Sequence, residues 1–209
     1  MIKLTVPLPK QITIACSGGV DSMAVVDFLS RKHDITIAHF NHRTQNGEKA
    51  AEFVSRYCGE HSIVMLYGSP RSQKNSKESQ EEYWRRERYD FLSDLGPVIT
   101  CHHLDDCVET YIWSSLHGTP KVIPLTRNNV IRPFLTTRKQ DFIYWCESHN
   151  VPWIEDESNK NSRYTRNYIR NELMPHALHV NPGLHTLVKK IVEGKNQCFI
   201  NLSTKSNNN

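Results

Sequence analysis

Apolar residues near the start of the chain follow two alternating spacings. Short runs rich in β-branched side chains occupy residues 12–15, 34–41 and 62–68, and such runs are typical of buried strands. Between them, residues 23–29 and 47–61 place apolar side chains every three or four positions, as one face of an amphipathic helix requires. The pattern therefore predicts strand, helix, strand, helix, strand.

The remainder of the chain is less regular. Residues 69–80 are polar and predict a loop, and the apolar run at residues 97–101 predicts a fourth strand. Helical spacing returns in four later segments, at residues 81–95, 101–116, 138–150 and 163–178. The last of these contains Pro175, where we expect the helix to end.

Strands that alternate with helices predict an α/β fold. The sheet is expected to be parallel, Rossmann-like and covered by helices on both faces, with a ligand at the carboxyl ends of the strands. We assign residues 1–125 to the main domain, residues 126–200 to a small helical C-terminal part of the same unit and residues 201–209 to a disordered tail.

Composition narrows the class of protein. With 209 residues, of which 38% are hydrophobic, the chain can bury one sizeable core. A net charge of +4 permits an anionic partner such as RNA without requiring one. No apolar run approaches membrane-spanning length, and the N-terminus does not form a signal sequence, so we predict a cytoplasmic protein with no membrane partner. The six cysteines include no C-x-x-C pair, which predicts reduced thiols; no oligomeric state is predicted.

A double glycine separates the first strand from the first helix, in the string SGGVDS. Gly18 and Gly19 permit positive φ and a close approach to a ligand, and the helix that follows directs unpaired N–H groups into the loop. Such a loop attracts phosphate. It carries Asp21 and no lysine, and a carboxylate beside phosphate indicates a Mg²⁺ ion between the two. A capped turn that binds nothing is the alternative interpretation.

The string SGGVDS resembles the PP-loop of the N-type ATP pyrophosphatases, which split ATP between the α and β phosphates. The resemblance implies an adenine nucleotide alpha hydrolase-like fold and a loop that holds the pyrophosphate leaving group. It places Asp21 close to Mg²⁺. The residues it assigns to ATP binding are Ser17, Gly18, Gly19, Val20, Asp21 and Ser22.

A second cluster of chemically active side chains lies in the string CHHLDDCVET. On a helix, His102, Asp106 and Glu109 would share the side opposite the apolar residues. Because the segment follows an apolar strand, it falls where α/β proteins bind ligands. Two alternatives stay open, a solvated helix face and a zinc site formed by Cys101, His102 and Cys107.

In their order along the chain, AHFNHR, EEYWRRERYDFL, CHHLDDCVET, VIRPFLTTRK and WIEDESNKNSRYTRNYIRNELMP resemble the tRNA(Ile)-lysidine synthetase family. The resemblance covers residues from Ile12 to about Pro175. It implies that ATP adenylates the C2 oxygen of the wobble cytidine and that the ε-amine of free lysine then displaces AMP. The implied cofactors are ATP and Mg²⁺, and the implied partners are the anticodon loop of tRNA(Ile) and free lysine.

The resemblance also assigns individual roles. His102 and Asp106 match the pair at the reaction centre, and Arg85 and Arg88 match a pair near the phosphates. These residue types suit the chemistry, because a carboxylate or imidazole can accept the proton of the lysine amine and guanidinium groups stabilise charge on phosphate. Four residues of the basic helix are expected to bind tRNA or lysine, or to form a solvated face: Arg163, Arg166, Asn167 and Arg170.

The chain departs from the family pattern in several places. Arg43 directly follows His42, where the family usually has glycine, and the loop after His117 is short. The match ends near Pro175, whereas many members continue into further domains that grip tRNA, which implies either a compact form or a different mode of tRNA recognition. Two other functions stay open. One is a related PP-loop enzyme such as a 2-thiocytidine synthetase, which the lack of C-x-x-C pairs disfavours, and the other is a non-catalytic tRNA-binding relic.

Overall fold

Six strands form one sheet in the order β3-β2-β1-β4-β6-β5. The computed structural model describes residues 1–155 and 165–206. The strands are β1 (Gln11–Ala15), β2 (Asp34–Phe40), β3 (Val64–Gly68), β4 (Val98–Ile99), β5 (Thr126–Arg127) and β6 (Val130–Ile131). The helices are α1 (Val20–Ser30), α2 (Gln45–Glu60), α3 (Gln80–Ser93), α4 (Leu104–Leu116), α5 (Lys139–His149), α6 (Thr165–Tyr168), α7 (Met174–Val180) and α8 (Leu184–Ser206), with a π turn at Ile169–Leu173 between α6 and α7.

The parallel part of the sheet reverses its strand order beside β1. This strand pairs with β2 on one side and with β4 on the other, and both pairings are parallel. The chain therefore leaves β1 and β4 in opposite directions, which opens a crevice at their carboxyl ends. The residues that follow β1 are the SGGVDS loop, and those that follow β4 are His102 and His103. The topology thus brings the two predicted chemical clusters together.

Apolar side chains cover the two faces of the sheet separately. On one face, α1, α2 and α5 pack on β1 through fully buried residues that include Ile14, Val26 and Phe142. On the other face, Phe91 of α3 packs against Phe40 of β2. A further cluster joins α4 to α8. The predicted α/β fold with helices on both faces is confirmed.

The edge of the sheet differs from the sequence-based expectation in its strand direction and in its place relative to the predicted domain boundary. Strands β5 and β6 form an antiparallel hairpin at the sheet edge, with Asn128 in the left-handed region at φ 55°. Asparagine tolerates this conformation, which two-residue hairpin turns require. The hairpin lies C-terminal to residue 125 and yet continues the sheet of the main domain, so the sheet crosses that predicted boundary.

The predicted basic helix does not end at Pro175. Proline lacks an N–H group and its ring collides with the carbonyl four residues earlier in an α-helix. Here the preceding turn widens into a π turn, in which Met174 N–H donates to the carbonyl of Ile169. The widened turn accommodates the proline, which falls in the first turn of α7. The expectation that Pro175 stops the helix is wrong.

The last helix reaches further than the sequence predicts. It continues to Ser206 and so includes residues 201–206 of the predicted tail. No proline interrupts the segment from Leu184 onward, so a helix that is anchored by buried Leu184, Val188 and Val192 can propagate. None of the helices within residues 1–155 and 165–206 combines the length and the apolar composition that crossing a membrane requires.

Gly68 offers a test of the packing between β3 and α3. A Cβ atom at Gly68 would lie 2.5 Å from the ring of Phe91. We expect Gly68→Ala to lower the free energy of unfolding by about 1–3 kcal/mol, because α3 must shift to admit the methyl group. Urea denaturation measures this effect.

Gly59→Ala is the matched control for Gly68→Ala. No atom lies within 4 Å of the Cβ position at Gly59, which is in the last turn of α2. Alanine there is expected to stabilise the protein by about 0.5–1 kcal/mol, since it favours the helix. Equal effects of the two substitutions would contradict the packing argument.

Candidate active site

The phosphate loop is shaped by one positive φ angle and by the Ser22 hydroxyl. Gly18 has φ 86°, and a Cβ atom there would lie 3.3 Å from Phe53, Val54 and Ile154. Gly19 has φ −76° and serves as the N-cap of α1, so only the first glycine of the pair uses the left-handed region. Ser22 Oγ donates to the carbonyl of Gly19 at 2.9 Å and accepts from Ser17 N–H at 3.2 Å. These contacts fix the loop at the N-terminus of α1, where backbone N–H groups favour an anion.

Asp21 lies in the first turn of α1 with one carboxylate oxygen engaged. Its Oδ2 lies 3.5 Å from His103 Nε2 and 3.9 Å from Lys139 Nζ. Its Oδ1 is buried and accepts no hydrogen bond from the residues that the structure describes. A buried carboxylate oxygen beside a phosphate-binding loop suits Mg²⁺, which usually takes one or two carboxylates and fills its other positions with phosphate and water. The residues present therefore fit the predicted ion.

His103 is the residue that connects the loop to α4. Its side chain caps the helix by accepting from Asp106 N–H at 3.3 Å, while Asp106 Oδ2 accepts from His103 N–H at 3.0 Å. The imidazole also lies 3.8 Å from Asp105. Burial lowers the pKa of His103, but the carboxylates of Asp106, Asp21 and Asp105 more than offset it and raise the pKa above its ordinary value. His103 thus holds three carboxylates in place.

His102 occupies a different position from the one the helical pattern predicts. It precedes α4, which begins at Leu104, and its Nδ1 lies 2.9 Å from Thr100 Oγ1. Burial lowers the pKa of His102 to about 3, and the nearby guanidinium groups of Arg132, Arg166 and Arg88 contribute in the same direction. The imidazole is therefore neutral near pH 7, where it can form hydrogen bonds but holds an extra proton weakly.

Asp106 and Glu109 lie within the protein and pair with two arginines of the basic helix. Arg166 donates to Glu109 Oε2 at 3.1 Å and to Asp106 Oδ1 at 3.0 Å. Arg170 donates to Glu109 Oε1 at 2.5 Å and to Asp106 Oδ1 at 3.4 Å. Asp106 and Glu109 are 7% and 2% exposed, so the alternative of a solvated helix face is wrong for them. Burial raises the pKa of Asp106, but His103 and Arg166 outweigh it and hold that pKa well below its usual range.

The structure describes only part of the predicted set of substrate-binding residues. Asn167 lies in α6 between the two arginines, on the same short helix as Arg166. Arg163 lies outside the described residues. Of the four residues expected to bind tRNA or lysine, the structure therefore brings Arg166 and Arg170 to the site, where both face carboxylates.

Arg85 and Arg88 gather with Arg132 around the ring of Tyr89. The guanidinium carbons of Arg85 and Arg88 lie 4.8 Å and 5.5 Å from the ring centroid, and Arg132 donates to the Tyr89 hydroxyl at 3.4 Å. Burial raises the pKa of Tyr89, but Arg132, Arg85 and Arg88 more than offset it and bring the pKa below its ordinary value. Within residues 1–155 and 165–206, none of the three arginines forms an ion pair, and the Nε atoms of Arg88 and Arg132 are buried without a hydrogen-bond partner. Uncompensated guanidinium groups favour a phosphate ligand.

Sequence reasoning missed several residues of this site. His103 and Asp105 had no predicted role, Arg132 completes the arginine group, and Glu109 was expected on the helix face but was given no ion-pair partner. A further residue is His39 at the end of β2, whose Nδ1 lies 2.9 Å from the carbonyl of Cys16 and whose Nε2 is buried with no partner in the described ranges. The spacing in HHLDD was a usable signal, because His103 directly precedes the first apolar residue of the helix and Asp106 follows His103 by three positions, as in a capping box.

The cysteines whose side chains the structure describes are free thiols, and they are Cys16, Cys58, Cys101, Cys107 and Cys146. Cys101 donates to the carbonyl of Ala15, while Cys107 is fully buried in the cluster between α4 and α8. Burial raises the pKa of Cys107 to about 12, so the thiol stays protonated. In the described part of the chain, no three His, Cys, Asp or Glu side chains are grouped to hold a metal by themselves. The zinc interpretation finds no support there.

Together, the fold and the site define an α/β nucleotide-binding domain with a phosphate loop at the switch point of its sheet. The PP-loop domain family matches residues 3–177, and the chain belongs to that family.

Curated relatives extend the comparison. The chain is 32% identical to the tRNA(Ile)-lysidine synthase of Thermotoga maritima over 88% of its own length and 49% of the relative's. It is 30% identical to the bifunctional protein TilS/HprT of Listeria innocua over 90% of this chain and 33% of that protein. The chain thus spans about half the length of the first of these relatives. The resemblance to the lysidine synthetase family is confirmed.

A solved structure supports the fold. The NH3-dependent NAD synthetase of Campylobacter jejuni aligns with a TM-score of 0.52 over 90% of this chain and 86% of its own. At 14% sequence identity the likeness concerns the fold alone.

Glu109 tests the buried pairing between α4 and the basic helix. Glu109→Gln removes the charge that faces Arg166 and Arg170, and we expect the free energy of unfolding to fall by about 2–3 kcal/mol. Part of each guanidinium group is exposed, which keeps the loss below that of a fully buried pair.

The matched control for this substitution is Glu52→Gln, at an exposed position of α2. It should change the free energy of unfolding by less than about 0.5 kcal/mol. Urea denaturation of both variants measures the two changes in the free energy of unfolding. A loss no greater at Glu109 than at Glu52 would show that the pairing does not stabilise the fold.

Proposed function

We propose that this site ligates lysine to the C2 position of the wobble cytidine of tRNA(Ile) with a CAU anticodon. ATP would adenylate the cytidine first, and the products would be AMP, pyrophosphate and the lysine-modified tRNA. The observation that carries the proposal is that Asp21 of the phosphate loop reaches His103, while the neighbouring His102 lies near Arg88 and Arg132, which form no ion pair within residues 1–155 and 165–206, in a chain similar to lysidine synthases. Because the chain spans about half of those relatives, the whole reaction is a proposal for it.

The phosphate loop supports cleavage of ATP between the α and β phosphates. Backbone N–H groups at the start of α1 face the loop, and Ser17 and Ser22 hydroxyls lie 3.3 Å apart within it. A γ-phosphoryl transfer loop uses a lysine to reach the terminal phosphates, and SGGVDS has none. The loop therefore suits a pyrophosphate group that is held and released as a unit.

Asp21 would hold Mg²⁺ through its Oδ1 atom, and a bound Mg²⁺ neutralises charge that develops on the phosphate oxygens. Arg85, Arg88 and Arg132 add positive charge from the side of α3 and β6. Charge on the oxygens of the α phosphate grows as the cytidine oxygen attacks, and preorganised cations stabilise such charge. These residues accordingly favour the adenylation step.

The pKa directions, together with the contacts of Asp106 to Arg166 and Arg170, favour positioning roles for Asp106 and His102. A good proton acceptor near pH 7 has a pKa close to that value. The pKa of His102 is lowered to about 3 by burial, and the pKa of Asp106 is also low despite its burial because His103 and Arg166 lie beside it. We infer that Asp106 orients Arg166 and Arg170 toward the substrates and that His102 offers a neutral imidazole for hydrogen bonding. The partners would be the anticodon loop and free lysine, in the cytoplasm.

The first test of this function is Asp21→Ala. We expect tRNA-dependent release of pyrophosphate to fall by roughly 10²–10³-fold, since one electrostatic stabiliser is worth about that much. The fold should persist, because Asp21 is partly exposed and its ion pairs with His103 and Lys139 are long, at 3.5 Å and 3.9 Å. Glu52→Ala, which removes an exposed carboxylate far along α2, serves as the control. Normal pyrophosphate release by the Asp21 variant would overturn the ATP assignment.

A second test separates lysine ligation from sulfur transfer. Thiolation needs reactive thiolates, whereas burial raises the pKa of the Cys107 thiol to about 12, and lysine ligation needs no thiol. We expect a Cys101→Ala, Cys107→Ser double variant to keep much of its lysine-dependent AMP formation on tRNA. It should lose some stability, because Cys107 is fully buried among apolar residues.

The assay for the double variant measures AMP release from ATP and tRNA with lysine present or omitted. Circular dichroism and thermal unfolding establish that the variant is folded. Turnover that ignores lysine, or that vanishes with the two cysteines in a folded variant, would favour the thiolation alternative over lysine ligation.

A further inference from the structure

A cavity of about 540 Å³ opens at the carboxyl ends of β2 and β3, beside the phosphate loop's strand β1. One wall is the turn from His42 to Thr44 at the start of α2, and the opposite wall is the segment from Pro70 to Gln73. Tyr83 and Trp84 of α3 form the floor between them. The roles proposed above for ATP and lysine use none of these residues.

Side chains of α3 hold the wall formed by Pro70–Gln73 in place. The buried carboxylate of Glu87 accepts from Arg71 N–H at 2.6 Å and from Ser72 N–H at 3.2 Å, and it also accepts from the Ser72 hydroxyl. The Tyr83 hydroxyl donates to the carbonyl of Ser72 at 2.8 Å. These bonds fix the loop without any contact from a ligand, so the cavity is preformed.

The opposite wall carries backbone strain at one residue. Arg43 has φ 56°, in the left-handed region that costs a side-chain-bearing residue free energy and favours glycine. Asn41, which is fully buried, holds this turn by accepting from Arg43 N–H at 2.8 Å and donating to the Tyr67 hydroxyl at 3.0 Å. Lysidine synthetase patterns have glycine at this position, so this chain places an arginine where the backbone disfavours one.

The charge and the ring systems of the cavity point to one class of ligand. Arg71 pairs with Asp94 outside the cavity, whereas Arg43 donates to the Ser69 hydroxyl and, among the described residues, forms no ion pair. Among the residues that the structure describes, no acidic side chain lines the cavity. The indole of Trp84, which lies against His42 with ring centroids 5.5 Å apart, is half-buried. An uncompensated guanidinium beside an accessible indole suits an anion that carries a planar ring.

We propose that this cavity binds one unpaired nucleotide of the RNA substrate, with its base against Trp84 and its phosphate on Arg43. This inference rests on the proposed function, in which tRNA is the substrate, and it identifies a contact that is particular to this chain. The nucleotide would be a neighbour of the reacting cytidine in the single-stranded loop. RNA recognition commonly uses such splayed bases stacked on aromatic side chains.

The cavity lies apart from the phosphate loop along α2. A Cβ atom at Gly18 of the loop would lie 3.3 Å from Phe53 of α2, which places that residue beside the loop. Thr44, the N-cap of α2, lies nine residues earlier, which corresponds to about 13 Å along the helix axis. This separation fits a neighbouring nucleotide of a bound RNA loop and also the adenosine of a bound ATP, so the binding measurements below are designed to distinguish the two.

The decisive variant is Arg43→Gly, because binding and stability should respond in opposite directions. Glycine removes the backbone strain, so the melting temperature should be unchanged or a few degrees higher. Affinity for a fluorescently labelled anticodon stem-loop of tRNA(Ile), measured by anisotropy at low salt, should fall about tenfold. The slope of log K against log salt should become shallower by about 0.7, the value for one contact to a single-stranded phosphate.

Three further measurements sharpen the result. Arg127→Gln removes one positive charge at the opposite edge of the sheet and should leave the affinity for the stem-loop within twofold. Arg43→Gln keeps the strained backbone but lacks the charge, and it should bind RNA as weakly as Arg43→Gly. Trp84→Leu should weaken binding about tenfold through lost stacking, with a normal salt slope.

Binding of ATP with Mg²⁺ to the same variants shows whether the cavity holds a nucleotide of the RNA or part of ATP. Unchanged ATP affinity in Arg43→Gly together with weakened RNA binding supports the proposal, and a loss of ATP affinity with normal RNA binding overturns it. RNA binding that is equal in Arg43→Gly and the wild type also overturns it, even if lysine-dependent turnover is intact. Conversely, wild-type protein that binds the stem-loop through Arg43 but shows no lysine-dependent turnover would refute the proposed function and keep the cavity assignment.

Discussion

Burial of three carboxylates at the start of α4 is the constraint on which the site depends. An uncompensated buried carboxylate costs several kcal/mol, so each needs a partner from elsewhere in the chain. Asp105 accepts from Lys139 N–H at 2.8 Å and lies 3.0 Å from His185 of α8, and Glu109 binds the arginines of the basic helix. Asp106 shares those arginines and His103. The helical C-terminal part is therefore bound to the nucleotide-binding sheet by charge as well as by apolar contact.

Local patterns in the sequence were sufficient to predict the fold and the phosphate loop. The β-branched runs and the helical spacing depend on neighbours a few residues away, and Gly18 and Ser22 act within one turn of the chain. The ion pairs of the site could not be predicted in this way, because Arg166 and Glu109 are separated by 57 residues. The sequence indicated that these residues were chemically active, but only the folded chain shows that they neutralise each other.

The residues whose positions were predicted wrongly from the sequence lie at helix boundaries. His102 was assigned to a helix that begins two residues later, and His103, which caps that helix, received no role. Helical periodicity cannot distinguish an N-cap from the first turn, since both fit the same spacing. Pro175 was interpreted as a helix end because a widened turn that accommodates a proline is rare.

Charge along the carboxyl edge of the sheet is balanced near β1 and positive farther from it. At the crevice, acidic and basic side chains nearly balance, since Asp106 and Glu109 face Arg166 and Arg170. On either side, the arginines near Tyr89 and Arg43 at the outer cavity form no ion pairs within the described chain. A polyanion would gain most free energy at the flanks, while the balanced centre leaves room for a cation and for a neutral reacting base. This arrangement suits a substrate that carries its reacting base between flanking phosphates.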